Sequence, residues 1–241
     1  MTVTAFPVPI LKDNYAWLLR ETSTGATAIV DPADAEPIIE AIEKAGGRLD
    51  SILLTHHHAD HIAGVDEVRA RFHCPVVGAA ADQHRLPKLD EALREGDTVR
   101  LGDASAVVIE TPGHTRGQIN FFFKDGGVLL SGDTLFSLGC GRLIEGTAAE
   151  MFDSLHKLMA LPGNTLVCCG HEYTESNARF ALAVDPENPA LHEFVARVEQ
   201  LRSAGQPSVP SVLAEELKAN PFLLAPDVAS FAAVRAKKDK F

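Results

Sequence analysis

"LLTHHHADHIAG", residues 53–64, closes an apolar run with four histidines and an aspartate in the six positions from His56 to His61. A strand such as "SILLTH" (51–56) that ends in this way delivers polar side chains to a sheet edge. Side chains two apart share a face of an extended chain, so His56 and His58 point the same way. Asp60 and His61 follow as the chain turns into a helix, and they reach toward a second position close by. A helical zinc pair, His57 and His61 at i and i+4, competes locally, but that motif needs Glu after its first His and residue 58 is His. Taken alone, the turn also fits a surface cluster or an N-cap.

The rest of the chain favours metal. "ETPGHTRGQ" puts His114 after an apolar strand and a Pro-Gly turn, "LLSGDTLF" puts Asp133 at another strand end, and "VCCGHEY" puts His171 at a third. His56, His58, His61, His114 and His171 with Asp60 and Asp133 are too many ligands for one tetrahedral zinc, which takes three or four from the protein. They suit two divalent cations about 3.5–4 Å apart, sharing a carboxylate and a hydroxide and polarising a substrate oxygen. The expected site is therefore binuclear and hydrolytic. Zinc is the first expectation, with iron and manganese accepted by the same ligand types.

Around these ligands the chain alternates. "YAWLLRE" (15–21), "ATAIVDP" (26–32) and "PVVGA" (75–79) read as strands, "EPIIEAIEKAGG" (36–47) as a helix, and "IAGVDEVRARF" (62–72) has helical spacing. From Asp97 the pattern is mostly β: "TVRL", "AVVIETP", "INFFFK" and "VLLSGD", the last two joined by a hairpin turn at Asp125-Gly126-Gly127. "TAAEMFDSLHKLMAL" (147–161) is a helix and "TLVCCGH" (165–171) one more strand. After His171 the strands stop, and residues 174–184, 190–204, 211–219 and 227–237 read as helices. This α/β order suits two sheets with helices outside. The change of period near Tyr173 divides a domain of residues 1–173 from a helical one of residues 174–241.

The 241 residues are 46% hydrophobic and 23% charged, with a formal charge of −11 that argues against nucleic-acid binding. No apolar run approaches the roughly 20 residues that span a bilayer. The start, "MTVTAFPVPILKDNY", has no signal-peptide pattern. Cys74, Cys140, Cys168 and Cys169 suggest no disulfide framework. A cytoplasmic monomer with no membrane partner is expected.

"THHHADH" with His114, Asp133 and His171 resembles the metallo-β-lactamase superfamily, which implies an αβ/βα sandwich with metals at one edge of two sheets. "LKDNYAW", "GDTLFSLGCGRLIEGT", "CGHEYT", "VPSVLAEELKANPF" and "VRAKKDKF" resemble, nearly end to end, the glyoxalase II (hydroxyacylglutathione hydrolase) family. That resemblance implies a first metal on His56, His58 and His114, a second on Asp60, His61 and His171, and Asp133 bridging. It implies hydrolysis of S-D-lactoylglutathione to D-lactate and glutathione by a metal-bridging hydroxide, with Asp60 helping to orient the water. A thiolate of pKa about 8.5 leaves without a strong general acid.

The substrate is acidic, and the anionic chain ends in a basic run. Arg235 and Lys238, at i and i+3 of one helical face, match the family's pair for the glycine carboxylate of glutathione. Arg142 and Tyr173 match further substrate contacts. Two departures stand out: Ile144 where the family has an aromatic residue, and Leu224 where it has Arg. The first is expected to weaken glutathione binding and the second to alter how the helical domain is pinned.

A glutathione-persulfide dioxygenase of the same fold is implied to use one iron on two His and one Asp, which leaves the second ligand set without purpose. A lactonase gives Arg235 and Lys238 none. His57, His73, His84, His156 and His192 read as neutral or solvated surface histidines, with His57 facing away from the cleft. Cys168 and Cys169 read as small buried hydrophobes. Three consecutive aromatics, Phe121 to Phe123, cannot share one sheet face. Asp31 is either support for a ligand histidine or an ordinary strand-end residue.

Overall fold

The computed structural model describes residues 2–241. Six strands form a first sheet in the order β1 (Val3–Ile10), β2 (Asn14–Glu21), β3 (Thr27–Val30), β4 (Ser51–Leu53), β5 (Val76–Ala79) and β6 (Glu91–Leu93). The second sheet is formed by β7 (Thr98–Leu101), β8 (Ala104–Glu110), β9 (Ile119–Phe123) and β10 (Val128–Gly132), with β13 (Leu166–Cys169) and β14 (Ser211–Val212) beyond β10. A small hairpin, β11 (Leu135–Phe136) and β12 (Gly139–Cys140), stands apart. The helices are α1 (Ala35–Lys44), α2 (Ala59–Ile62), α3 (Val65–Phe72), α4 (Ala148–Met159), α5 (Thr174–Val184), α6 (Pro189–Ser203), α7 (Leu213–Ala219) and α8 (Val228–Lys238).

The two sheets face each other across the main core, and the helices cover their outer faces, giving the expected αβ/βα sandwich. The phenylalanine triplet on β9 shows the division. Phe121 and Phe123 lie in the inter-sheet core, while Phe122 points outward to the cluster that holds Met151, Leu155 and Leu158 of α4. Alternation along a strand requires this split. The α4 helix starts where its sequence says it should: Thr147 accepts from the Glu150 N–H and Glu150 from the Thr147 N–H, a reciprocal cap.

Besides the short strands β6, β11 and β12, which the sequence did not announce, three features differ from the sequence expectation. Strand β1 contains Pro7 and Pro9, which mask its strand character, and it lies at a sheet edge, where a missing N–H interrupts no internal ladder. The stretch 62–72 is not one helix: it breaks at Ala63–Gly64, where the Gly64 N–H donates to the Pro32 carbonyl at 3.0 Å instead of to the helix, an approach that a Cβ at residue 64 would obstruct. Strands also do not stop at His171. Ser211 and Val212 pair with Val167 and Leu166 as β14, so the C-terminal segment completes the second sheet at its edge. Two residues are too few to show a period of two.

Strand direction decides where the site lies. The β10 and β13 strands are parallel, and β8 runs with them because both β8 and β10 are antiparallel to β9. The carboxyl ends of β8, β10 and β13 therefore share one edge. The end of β4 is fastened to it through the Ile119 N–H donating to the Thr55 carbonyl at 3.0 Å.

Candidate metal centre and its cleft

The chain beyond β4 is fixed first by Asp31, a residue at φ 53° whose carboxylate accepts from the Thr55 N–H (2.8 Å) and hydroxyl (2.7 Å). With its hydrogen spent on Asp31, the Thr55 oxygen accepts from His56 Nδ1 at 3.0 Å. The same carboxylate takes His61 Nδ1 at 2.9 Å. His114 Nδ1 donates to the Arg142 carbonyl at 2.8 Å, and His171 Nδ1 donates to Asp13 at 3.4 Å. Each partner fixes one tautomer and turns an Nε2 lone pair inward. Asp31 is thus a support for two of these histidines, the first of the two readings its position allowed.

The inward nitrogens and carboxylates meet. His58 enters through Nδ1, 3.2 Å from His56 Nε2 and 3.0 Å from His114 Nε2. His61 and His171 bring their Nε2 atoms to 3.3 Å, and Asp60 Oδ2 lies 3.8 and 3.5 Å from them. Asp133 sits between the sets, with Oδ1 3.4 Å from His61 and Oδ2 3.3 Å from His171 and 3.5 Å from His114. All seven residues expected at the centre are brought together. A register shift in β10 before Gly132, which has φ 46°, swings Asp133 in. Gly170 leaves it room, since a Cβ there would lie 2.6 Å from both Asp133 Oδ1 and His61 Cε1.

The donor set fits cations. Ligand bonds of about 2.0–2.1 Å in a tetrahedron place neighbouring nitrogens about 3.3 Å apart, the spacing found here. His56, His58 and His114 form one group able to hold a metal ion, and Asp60, His61 and His171 another. Asp133 Oδ1 is buried with no hydrogen-bond partner, a cost that a bound cation removes. Burial would raise the Asp133 carboxyl, but His61 and His171 outweigh it and hold it far below the usual range. Burial keeps His56 and His58 neutral. It works the same way on His61, but the Asp133 and Asp31 carboxylates overcome it and push that imidazole up to about 9.

From this centre runs a cleft of about 410 Å³ lined by His114, Asp133, Arg142, Tyr173, Arg235 and Lys238, among others. The four residues matched to substrate contacts thus share one cavity with the metal end. Tyr173 stacks on His171, centroids 4.5 Å apart. Arg235 is less free than its place in a basic tail suggests: NH1 donates to the Cys140 carbonyl at 2.9 Å, and Nε and NH2 both reach Asp239 Oδ1. Lys238 Nζ donates to the Ser176 carbonyl at 3.0 Å, and burial with the nearby Arg235 and Arg179 lowers it to about 8. Ile144 is exposed at the lip, and Leu224 is exposed too.

Several contributors were not read from sequence. Asn14 donates from Nδ2 to both the carbonyl (3.0 Å) and carboxylate (3.1 Å) of Asp60. Asn14 and Asp13 lie in "LKDNYAW", a stretch that matched as a whole without giving either a task. His57 does face away, but it is no solvated residue. Its Nδ1 contacts Asp82 at 3.1 Å and its Nε2 lies 3.6 Å from Glu145, two carboxylates that Arg85 also joins. Partners so distant in sequence leave no local signal. Cys168 and Cys169 are buried free thiols, and burial pushes Cys169 up to about 12.

A family model described as the metallo-beta-lactamase superfamily matches residues 11–171, and one described as the hydroxyacylglutathione hydrolase C-terminus matches residues 172–241. A hydroxyacylglutathione hydrolase of Acidiphilium cryptum is 56% identical, covering 97% of this chain and 95% of its own. Among solved structures, ETHE1 from Myxococcus xanthus superposes with a TM-score of 0.72 at 25% identity, over 98% of this chain and 90% of that one. TTHA1623, solved in a di-iron-bound form, gives 0.58 at 31% identity over 69% of this chain and 91% of that one.

Proposed function

We propose, for a chain that belongs to the metallo-β-lactamase superfamily and within it to the hydroxyacylglutathione hydrolases, that its substrate is S-D-lactoylglutathione, cleaved by water to D-lactate and glutathione. One observation carries this reading: a single cleft joins a donor set for two cations to a cationic far end. A thioester carbonyl at the first end leaves an acidic glutathionyl chain to reach Arg142, Arg235 and Lys238 at the second. Residues 1–173 supply the centre and residues 174–241 most of the cationic end.

His56, His58 and His114 would hold one cation, and Asp60, His61 and His171 the other, with Asp133 between them. Bound there, two divalent cations lower the pKa of water and polarise the carbonyl. Zinc suits the donors, and iron and manganese use the same ligand types. Asp60, half-exposed and kept ionised by His61 and Asn14 against its partial burial, is placed to hold a water proton at Oδ2. Tyr173 stays a neutral phenol, since burial and the nearby Asp13 raise its pKa, so it can donate a hydrogen bond to the substrate. The glutathione thiolate departs without a protonating residue. The second ligand set counts against a one-iron dioxygenase, and the cationic end against a lactonase. Four buried, unpaired cysteines fit a cytoplasmic enzyme, and no helix among the described residues is long and apolar enough to cross a membrane.

The test is hydrolysis followed at the thioester absorbance, with metals quantified in the same sample. Turnover with close to two metals per chain, lost in Asp133→Ala, is expected. A fully metallated sample that leaves the thioester intact refutes the glutathione assignment.

A further inference from the structure

Between Asp133 and Arg142 the chain forms the β11–β12 hairpin, whose tip is Ser137–Leu138. Leu138 adopts φ 54°, a left-handed conformation that a residue with a Cβ avoids unless its surroundings enforce it. The enforcement comes from the helices. Asn220 Nδ2, at the end of α7, donates to the Phe136 carbonyl at 3.3 Å and the Gly139 carbonyl at 3.1 Å. Asn177 Nδ2 on α5 donates to the Ser137 carbonyl at 3.0 Å. The Leu138 N–H donates to Glu216 Oε2 at 2.8 Å, an oxygen that also accepts from Asn220 at 3.1 Å. Asn177, Glu216 and Asn220 are all buried. Three side chains thus take four backbone groups of the hairpin.

The hairpin forms part of the cleft. The Phe136 ring stands edge-on to His171 and Tyr173, at 5.9 and 5.5 Å between centroids. The Cys140 carbonyl is the acceptor that holds Arg235. The Gly141 N–H returns to the Thr134 carbonyl, and a Cβ on Gly141 would press on His114. The hairpin therefore links the metal end of the cleft to its cationic end.

We propose that Asn177, Glu216 and Asn220 are positioning residues for substrate binding, a clamp that sets the hairpin and through it the spacing between the metal centre and Arg235. This rests on the glutathione-thioester reading. Burial pushes the Glu216 carboxyl up to about 7, against the Leu138 N–H and Asn220 amide that it accepts from. A glutamine, neutral and with the same acceptor for Leu138, is therefore the conservative replacement. The clamp touches no expected metal ligand, so its loss acts on binding.

The test compares wild type with Glu216→Ala, Glu216→Gln and Asn220→Ser. Measured are metal content, kcat and KM for S-D-lactoylglutathione, and calorimetric affinity for S-methylglutathione, a thioether that cannot be hydrolysed. Serine at 220 keeps an acceptor for the Phe222 N–H while removing both donors to the hairpin. Expected are KM and thioether Kd raised about tenfold in Glu216→Ala and Asn220→Ser, with metal content unchanged and kcat within about threefold. Glu216→Gln stays near wild type. The clamp is overturned if those two variants keep wild-type KM and Kd, if kcat falls with metal content instead, or if Gln is as damaging as Ala. A wild type that neither binds the thioether nor cleaves the thioester removes the functional reading, and the clamp with it.

Discussion

At one end of the cleft, five imidazoles and two carboxylates converge, with the ligand atoms of His56, His58 and His114, and those of Asp60, His61 and His171, within 4.8 Å of one another in each group, and four of the imidazoles are anchored by a partner on their outward nitrogen. At the other end, the Arg142 side chain is 69% exposed with one ion-pair contact, to Asp239 at 3.7 Å, and Lys238 rests on Ser176. The metal end is over-determined and mostly buried, with His56, His61, His114, Asp133 and His171 all shielded from solvent, so removing one group there leaves others buried without partners. The cationic end is part-wetted, and a lost charge is partly replaced by water. The same kind of substitution should therefore cost far more at the first end than at the second.

Asp133→Ala is the harshest way to break the metal end. It removes the carboxylate between both ligand sets, and kcat should fall at least about a thousandfold, with metal content dropping in the same preparation. Asp31→Ala leaves every proposed ligand in place but frees His61 and Thr55. Metal affinity should fall about 10- to 100-fold, measured by chelator competition. A wild-type affinity in that variant would show that the outward partners contribute nothing.

Lys238→Ala should raise KM about tenfold with kcat unchanged, the mark of binding lost equally in ground and transition states. A pH series sharpens the point. Lys238 is charged below about 8, so KM should be low there and climb as pH rises through that value. In Lys238→Ala the climb disappears. Smallest of all is Ile144→Tyr, which adds an aromatic face at the exposed lip and should lower KM about threefold.

The two ends also differ in how far the sequence discloses them. His56, His58, Asp60 and His61 are legible because their spacing belongs to one strand end and one turn, and strand ends likewise announce His114, Asp133 and His171. The residues that hold these side chains are not legible. Asp13 meets His171 only because the start of β2 bridges to the chain after β13, from one sheet to the other, and Asp31 meets His61 only because the first sheet sets β3 beside β4. His57 reads as a bystander until Asp82 and Glu145 appear beside it. The basic tail shows its charge and the i,i+4 spacing of Arg235 and Asp239, yet nothing local tells that the Cys140 carbonyl also occupies Arg235.

By itself, then, the sequence determined the inventory of candidate ligands, the α/β order of the sandwich and the sign of charge at each end, because periodicity, strand ends and composition are properties of neighbours along the chain. Tertiary structure decided the tautomers of the histidines, the edge pairing of β14 and the clamp on the β11–β12 hairpin. These rest on hydrogen bonds between segments far apart in the chain, and even Thr55 beside His56 is turned by Asp31, 24 residues away. Their geometry is set by strand order and helix docking, which no local spacing encodes.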